Sequence, residues 1–136
     1  MDYIYKLKLE VRDYECDIEG IVNNSIYLSY LEHAREKFLK SLGYNFFELT
    51  KNNIYLVATK IEIEYKKSLM SSDEFFVGLN IKKLSPIRME FLQDIFINDK
   101  IYTSAKIIVA ITDKNSKPIK NRDFLNGLFS KIEKKS

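Results

Sequence analysis

One cysteine and one histidine in 136 residues close off several chemistries at once. A lone thiol has no intramolecular disulfide partner, and Cys16 with His33 is too small a set for a zinc quartet or a paired-cysteine redox motif. A thiol enzyme would need that pair in contact, yet His33 lies among charged residues of a helical stretch. A small buried cysteine and a solvated histidine are the better reading. The acidic residues show no metal-ligand spacing either. With two prolines and four glycines, no Pro/Gly/Ser-rich linker divides the chain, which predicts one domain over residues 1–136. Long apolar runs are also missing. No window approaches the roughly 20 residues a bilayer span needs, and MDYIYKLKLE lacks the apolar core and small-residue cleavage site of a secretory signal. Reducing cytoplasm, with no integral membrane segment, is the expected setting. No sign of charge dominates: 22 basic and 19 acidic residues leave a net charge of +3. The lysines are interleaved with acids, which argues against nucleic acid as a partner but leaves attraction for a small anion.

What the chain does contain is a globular balance of 46% hydrophobic and 30% charged residues. Tyr3 to Arg12 alternates with period two and predicts a half-buried strand with Tyr3, Tyr5, Leu7, Leu9 and Val11 on one side. Tyr27, Tyr30, Leu31, Ala34, Phe38 and Leu42 recur at helical spacing, and Gly43 supplies a stop. Asn23, Asn24 and Ser25 are each competent to cap that helix. Four strands follow: Tyr55 to Lys66, Phe75 to Ile81, Met89 to Ile97, and Ile101 to Thr112. Ser85-Pro86 and Asn98-Asp99 join the last three as antiparallel neighbours, and Asp113 to Pro118 ends the sheet in a turn. Asn121 to Ile132 fits a short closing helix, against which Gly127 counts. One long amphipathic helix with a run of strands gives an α+β architecture in which the sheet covers the apolar stripe of the helix.

The stretch Val11 to Gly43 holds the candidate chemistry. Asp17 lies in a turn that passes through Gly20 into the asparagine-rich helix start. Aspartate is common in turns, so Asp17 alone says little. Its surroundings say more, because Gly20 lets the backbone bend close to a ligand and the first amides of a helix have no partner within it. A carboxylate beside such amides suits a reaction in which an oxyanion develops. Glu15 and Glu19 are neighbouring acids, but a paired-carboxylate arrangement is the weaker reading.

The run Asp17-Ile18-Glu19-Gly20-Ile21-Val22-Asn23-Asn24-Ser25-Ile26-Tyr27, followed by Tyr30, Glu32, Ala34 and Arg35, resembles the signature of the 4-hydroxybenzoyl-CoA thioesterase/YbgC-type acyl-CoA thioesterases. The aspartate-to-tyrosine turn is its specific part, and Leu56-Val57-Ala58-Thr59 resembles the pocket-lining segment. The resemblance implies the hotdog fold, an antiparallel sheet wrapped around one long central helix. It implies Asp17 as nucleophile or general base, in its ionised form, with the Asn24 amide polarising the thioester oxygen. It further implies Gly20, Asn23, Tyr27, Ala58, Thr59 and Arg88 as substrate-binding residues. Asn23 and Asn24 depart from the His, Tyr or other aromatic residues frequent in relatives, a change a backbone donor tolerates. Tyr27 is equally well read as a core aromatic. Lys82, Lys83, Arg88, Lys117, Lys120 and Arg122 are candidate attractants for CoA phosphates, Arg88 foremost because a guanidinium grips phosphate in a forked geometry. No cofactor or metal is implied. A homodimer or homotetramer is, and an unpaired edge strand gives that a physical reason. The alternatives are hydrolysis of acyl groups from acyl carrier protein, and a non-catalytic acyl-CoA-binding protein of the same fold.

Overall fold

The computed structural model describes residues 2–135. Strand β1 (Tyr5–Glu10) leads through a short 3-10 turn (Asp13–Glu15) to helix α1 (Asn24–Ser41). Helix α2 (Phe46–Lys51), strands β2 (Tyr55–Tyr65), β3 (Glu74–Ser85), β4 (Arg88–Ile97) and β5 (Lys100–Thr112), and helix α3 (Arg122–Lys135) complete the chain. The strands form one antiparallel sheet in the order β1-β3-β4-β5-β2. β3, β4 and β5 are joined by tight turns, while β2 reaches the far edge because the chain first crosses the sheet as α1. This is the hotdog arrangement expected from the sequence.

The sheet's inner face is built from aligned rows. Leu7, Val77, Ile95, Thr103 and Tyr65 stand opposite one another across five strands, as do Tyr5, Leu79, Gln93, Ala105 and Ile63. Against them α1 buries Tyr27, Tyr30, Leu31, Ala34, Phe38 and Leu39. Full burial of Leu31 or Phe38 contributes about 1.5–3 kcal/mol. Leu42, expected on that stripe, is the C-cap beyond the last helical residue and only half-buried; Leu39 takes its place.

Two local features were not legible in advance. Helix α2 is short and started by Asn45, whose side chain accepts from the Phe47 amide at 2.8 Å. In β2, a bulge at Thr59 inserts one residue between Ala58 and Lys60. It shifts the inward positions from Leu56 and Ala58 to Ile61, Ile63 and Tyr65, which is why this strand starts apolar and only then alternates. Gly127, which counted against α3, has a packing role: the Tyr44 hydroxyl lies 3.3 Å from where a Cβ would stand.

Candidate active site

The chain leaving β1 folds back on itself before it enters α1. Cys16 bridges Val22, the Asp17 amide donates to the Ile21 carbonyl at 2.9 Å, and the Gly20 amide donates to the Asp17 carbonyl at 3.0 Å. This reversal puts Gly20 at φ +81°, where a side chain would be strained. Asp17 Oδ1 accepts from the Glu19 amide at 2.8 Å, which fixes the carboxylate on an exposed turn. The returning arm is tied down by the Val22 amide, which donates to Leu69 O at 2.9 Å, and by a bridge from Ile21 to Met70.

Two residues after Val22 the helix begins. Asn23 holds the N-cap position in an extended conformation, but its side chain makes no capping bond. Asn24 is the first helical residue, so its amide has no acceptor within α1 and stands at the positive end of the helix dipole. Its carbonyl accepts from the Tyr65 hydroxyl at 3.4 Å, which places the Asp17 turn at the Tyr65 end of β2.

Glu15 anchors this segment. It is 9% exposed, its carbonyl accepts from the Asn23 amide at 3.0 Å, and its Oε1 accepts from the Arg12 amide at 2.8 Å and the Tyr30 hydroxyl at 2.7 Å. Burial first, then the contact with Glu15, pushes the Tyr30 phenol far above the usual tyrosine range, so it stays a donor. The acid beside the Asp17 turn is therefore a structural clasp. Tyr30→Phe should leave a buried carboxylate short of a partner, lose about 1–3 kcal/mol of stability and lower the melting temperature by several degrees. Thermal unfolding measures this, and an unchanged midpoint would show the clasp to be idle.

The other residues singled out from the sequence separate. Tyr27 is 1% exposed, accepts from the Leu69 amide at 2.9 Å, and packs edge-on against Tyr30 and Tyr65. It is packed into the core, as its alternative reading as a core aromatic expects, and its hydroxyl oxygen is engaged by the Leu69 amide. Burial raises the half-buried Cys16 thiol, with Asp13, Asp17 and Glu15 adding to the effect, which disfavours a thiolate. His33 is exposed along a groove with Lys8, Arg12, Glu15 and Tyr30. Among the described residues no group of His, Cys, Asp and Glu is arranged to hold a metal ion.

Ala58, Thr59 and Arg88 lie at the other end of the sheet. Ala58 pairs with Val109, Arg88 with Ala110, and Thr59 donates from Oγ1 to Ile108 O at 3.3 Å. Ala58 stands seven residues before Tyr65, roughly 20 Å along the strand. Within one chain these residues do not meet Asp17. Of the cations named from the sequence, Lys82 is engaged by Glu90 at 3.3 Å. Lys117 closes the turn beyond β5, at the Tyr55 end of the sheet, where Thr112 pairs with Tyr55. At the Tyr65 end stand three lysines the sequence reading passed over, Lys66, Lys67 and Lys100. The Lys66 and Lys67 amides both donate to Tyr102 O, at 2.8 and 3.0 Å, and Lys67 Nζ lies 5.2 Å from the Tyr102 ring centre. Contact with Lys67 holds the Lys100 ammonium below the usual lysine range. The adjacent pair Lys66-Lys67 at the end of a strand was the available signal.

Near Ala58 a cleft of about 220 Å³ opens between α1, α2 and the sheet, lined by Glu32, Arg35, Leu39, Phe46, Leu56, Ala58, Phe91 and Val109. That is smaller than the 300–1,000 Å³ common for ligand pockets.

Comparison with known proteins gives the family and the fold. The family model described as the thioesterase-like superfamily matches residues 11–127. The chain is 33% identical over 122 residues to the chloroplastic acyl-acyl carrier protein thioesterase ATL3 of Arabidopsis thaliana, covering 88% of this chain and 64% of that protein. It is 36% identical over 92 residues to the chloroplastic acyl-acyl carrier protein thioesterase ATL2 of the same plant, covering 68% of this chain and 49% of that one. The chain thus spans about half to two thirds of these relatives. The crystal structure of a hypothetical protein from Aquifex aeolicus superposes with a TM-score of 0.84 at 30% identity, over 91% of this chain and 98% of that one.

Proposed function

Because the chain belongs to the thioesterase-like superfamily, we propose that it hydrolyses an acyl-CoA thioester to a carboxylic acid and free CoA, with Asp17 as the acting carboxylate. The observation that carries this reading is the exposed Asp17 turn feeding directly into a helix whose first amide, at Asn24, has no acceptor in the helix. The thioester oxygen accepts from that amide, so charge moving onto it is stabilised as the carbonyl carbon is attacked. Asp17 either attacks that carbon itself, forming a mixed anhydride that water then opens, or takes a proton from the water that attacks. In both routes the C–S bond breaks, the thiolate leaves and gains a proton, and the added oxygen comes ultimately from water. Gly20 and Asn23 line the approach to Asp17.

The acyl-binding residues reach this centre through a second copy of the chain. β2 is an unpaired edge on which Val57, Ile61 and Tyr65 are 39%, 43% and 44% exposed. Such an edge is a template for pairing. Antiparallel pairing of two β2 strands about a two-fold axis lays the Tyr65 end of one subunit beside the Tyr55 end of the other. It thereby sets Asp17 opposite Ala58, Thr59 and Arg88 of the partner subunit, and brings Arg88 close enough to join Lys66, Lys67 and Lys100 around the CoA phosphates. Ile61→Lys, which puts a charge on that edge, is expected to yield monomer by sedimentation and to lose turnover together with the dimer. An active monomer would refute the composite site.

A released-thiol assay over a panel of acyl-CoA esters tests the function, which fails if purified dimer turns over none of them. A second reading, hydrolysis of acyl-acyl carrier protein, draws on the two Arabidopsis relatives and on the Lys66, Lys67 and Lys100 cluster, which suits an acidic carrier surface. Matched acyl-CoA and acyl-carrier substrates decide between them.

A further inference from the structure

Helix starts fray, because their first amides have no partner within the helix, yet the turn that presents the Asn24 amide is fixed at several points. The peptide group carrying that amide is held at its other end, where the Asn23 carbonyl accepts from the Ile26 amide at 2.9 Å. The Asn23 amide donates in turn to the Glu15 carbonyl at 3.0 Å. Glu15 is itself tied down. Its Oε1 accepts from the Arg12 amide at 2.8 Å and from the Tyr30 hydroxyl at 2.7 Å, and its own amide donates to the Arg12 carbonyl at 2.9 Å. Arg12 follows Val11, which is 2% exposed and whose amide donates to Asp73 O at 2.8 Å. One residue thus joins the chain just beyond β1, the entry to α1 through its main chain, and the body of α1 through its carboxylate, 15 positions further on at Tyr30. A second contact, from the Tyr65 hydroxyl to the Asn24 carbonyl, is longer at 3.4 Å and comes from an exposed edge strand, so Glu15 is the tighter tether.

We propose that Glu15 and Tyr30 are positioning residues for thioester hydrolysis: the hydrogen bond between them sets the direction in which the Asn24 amide meets the thioester oxygen. The inference rests on the thioester-hydrolase reading and on the Asn24 amide as its donor, and it gives the reaction two residues that touch neither the substrate nor the reacting atoms. Hydrogen bonds weaken steeply with angle and distance. A donor already aimed at the place where charge develops needs no reorganisation as the carbonyl is attacked, and a shift of about 1 Å in such a group lowers the rate by about 10²-fold. Removing the Tyr30 hydroxyl leaves Glu15 Oε1 with the Arg12 amide, so the N-cap at Asn23 loses its link to the body of α1. The Tyr30 ring packs 4.8 Å from Phe75 and edge-on against Tyr27, contacts that a phenylalanine keeps, which confines the change to the hydroxyl. Because the amide matters most once charge has moved onto the oxygen, the loss falls on kcat and spares KM.

The test measures kcat and KM of the full chain on an acyl-CoA ester that the wild type hydrolyses, at a temperature where each variant is fully folded by circular dichroism. Tyr30→Phe is expected to lower kcat by about 10- to 100-fold with KM nearly unchanged, a smaller loss than removal of the donor itself. Glu15→Gln, whose amide oxygen accepts both bonds, should keep most of the wild-type kcat, and Glu15→Ala should not. The decisive readout is a double variant. In an Asn24→Pro background, where the amide to be aimed is gone, Tyr30→Phe should change kcat by less than about twofold although it still lowers the melting temperature. A folded Tyr30→Phe protein with wild-type kcat overturns the inference. So does a loss of kcat equally large with and without the Asn24 amide, since the clasp then acts on something else. Should Glu15→Ala fail to fold, Tyr30→Phe and the double variant decide alone. Asn24→Pro with wild-type kcat sinks the assigned donor and this inference together, whereas a crippled Asn24→Pro beside a fully active Tyr30→Phe sinks the role of the clasp and leaves the hydrolase reading standing.

Discussion

Asp17→Asn is expected to lower thioester turnover by about 10²- to 10⁴-fold, the range associated with a lost acid–base group, while the fold and substrate affinity persist. The substitution is clean because the structural duty of Asp17 is to accept the Glu19 amide at 2.8 Å. An asparagine oxygen takes over that bond, so only the charge and the basicity disappear. The loss should appear in kcat with KM nearly unchanged, the pattern of a group that acts in the transition state. Single-turnover hydrolysis in oxygen-18 water then divides the two roles of Asp17, because an anhydride that water opens at the Asp17 carbonyl delivers an enzyme oxygen to the first product and puts the label on Asp17, whereas direct attack by water puts the label in the product. Wild-type kcat in Asp17→Asn would end the proposed mechanism.

The second large effect comes from removing one hydrogen atom. Asn24→Pro deletes the amide assigned to the thioester oxygen, and kcat should fall by about 10²- to 10³-fold, as for other lost oxyanion donors. Proline is tolerated at the first position of a helix, where its missing N–H had no helical acceptor. Asn23, at φ −62° and ψ 136°, already has the extended backbone required before a proline. Helix α1 should therefore survive, with unchanged circular dichroism. Asn24→Ala, which keeps the amide and discards only the side chain, should retain nearly full activity. If both variants lose activity equally, the side chain and not the backbone is the working group.

Much of this architecture could be read from residue order. The alternation of Met89 to Ile97 and Ile101 to Thr112 gave strands within one residue of those observed, because each has one face on the core and the next residue away from it. The stripe from Tyr27 to Phe38 marked α1 for the same reason. Helix α2 escaped because six residues are too few to show a helical period, and its start depends on one Asn45 hydrogen bond. The Thr59 bulge escaped because an inserted residue looks like a lapse in alternation until the partner strand is known. Glu15 and Tyr27 show the same limit in the candidate site: both fall within the stretch Val11 to Gly43 by position, but only the burial of each and the bonds each makes reveal them as clasp and core.

The chain's order of residues by itself determined that a carboxylate, a glycine and a helix start follow one another within eight positions, since local turns and caps depend on neighbours alone. Tertiary structure decided which residues can meet that carboxylate. Strand order is set by packing across the sheet, and it left Ala58 and Arg88 at the opposite end from Asp17 and exposed the β2 edge between them. It also set Arg35 against Gln93, 58 positions away, a contact without local cause because it exists only once α1 has docked on the sheet.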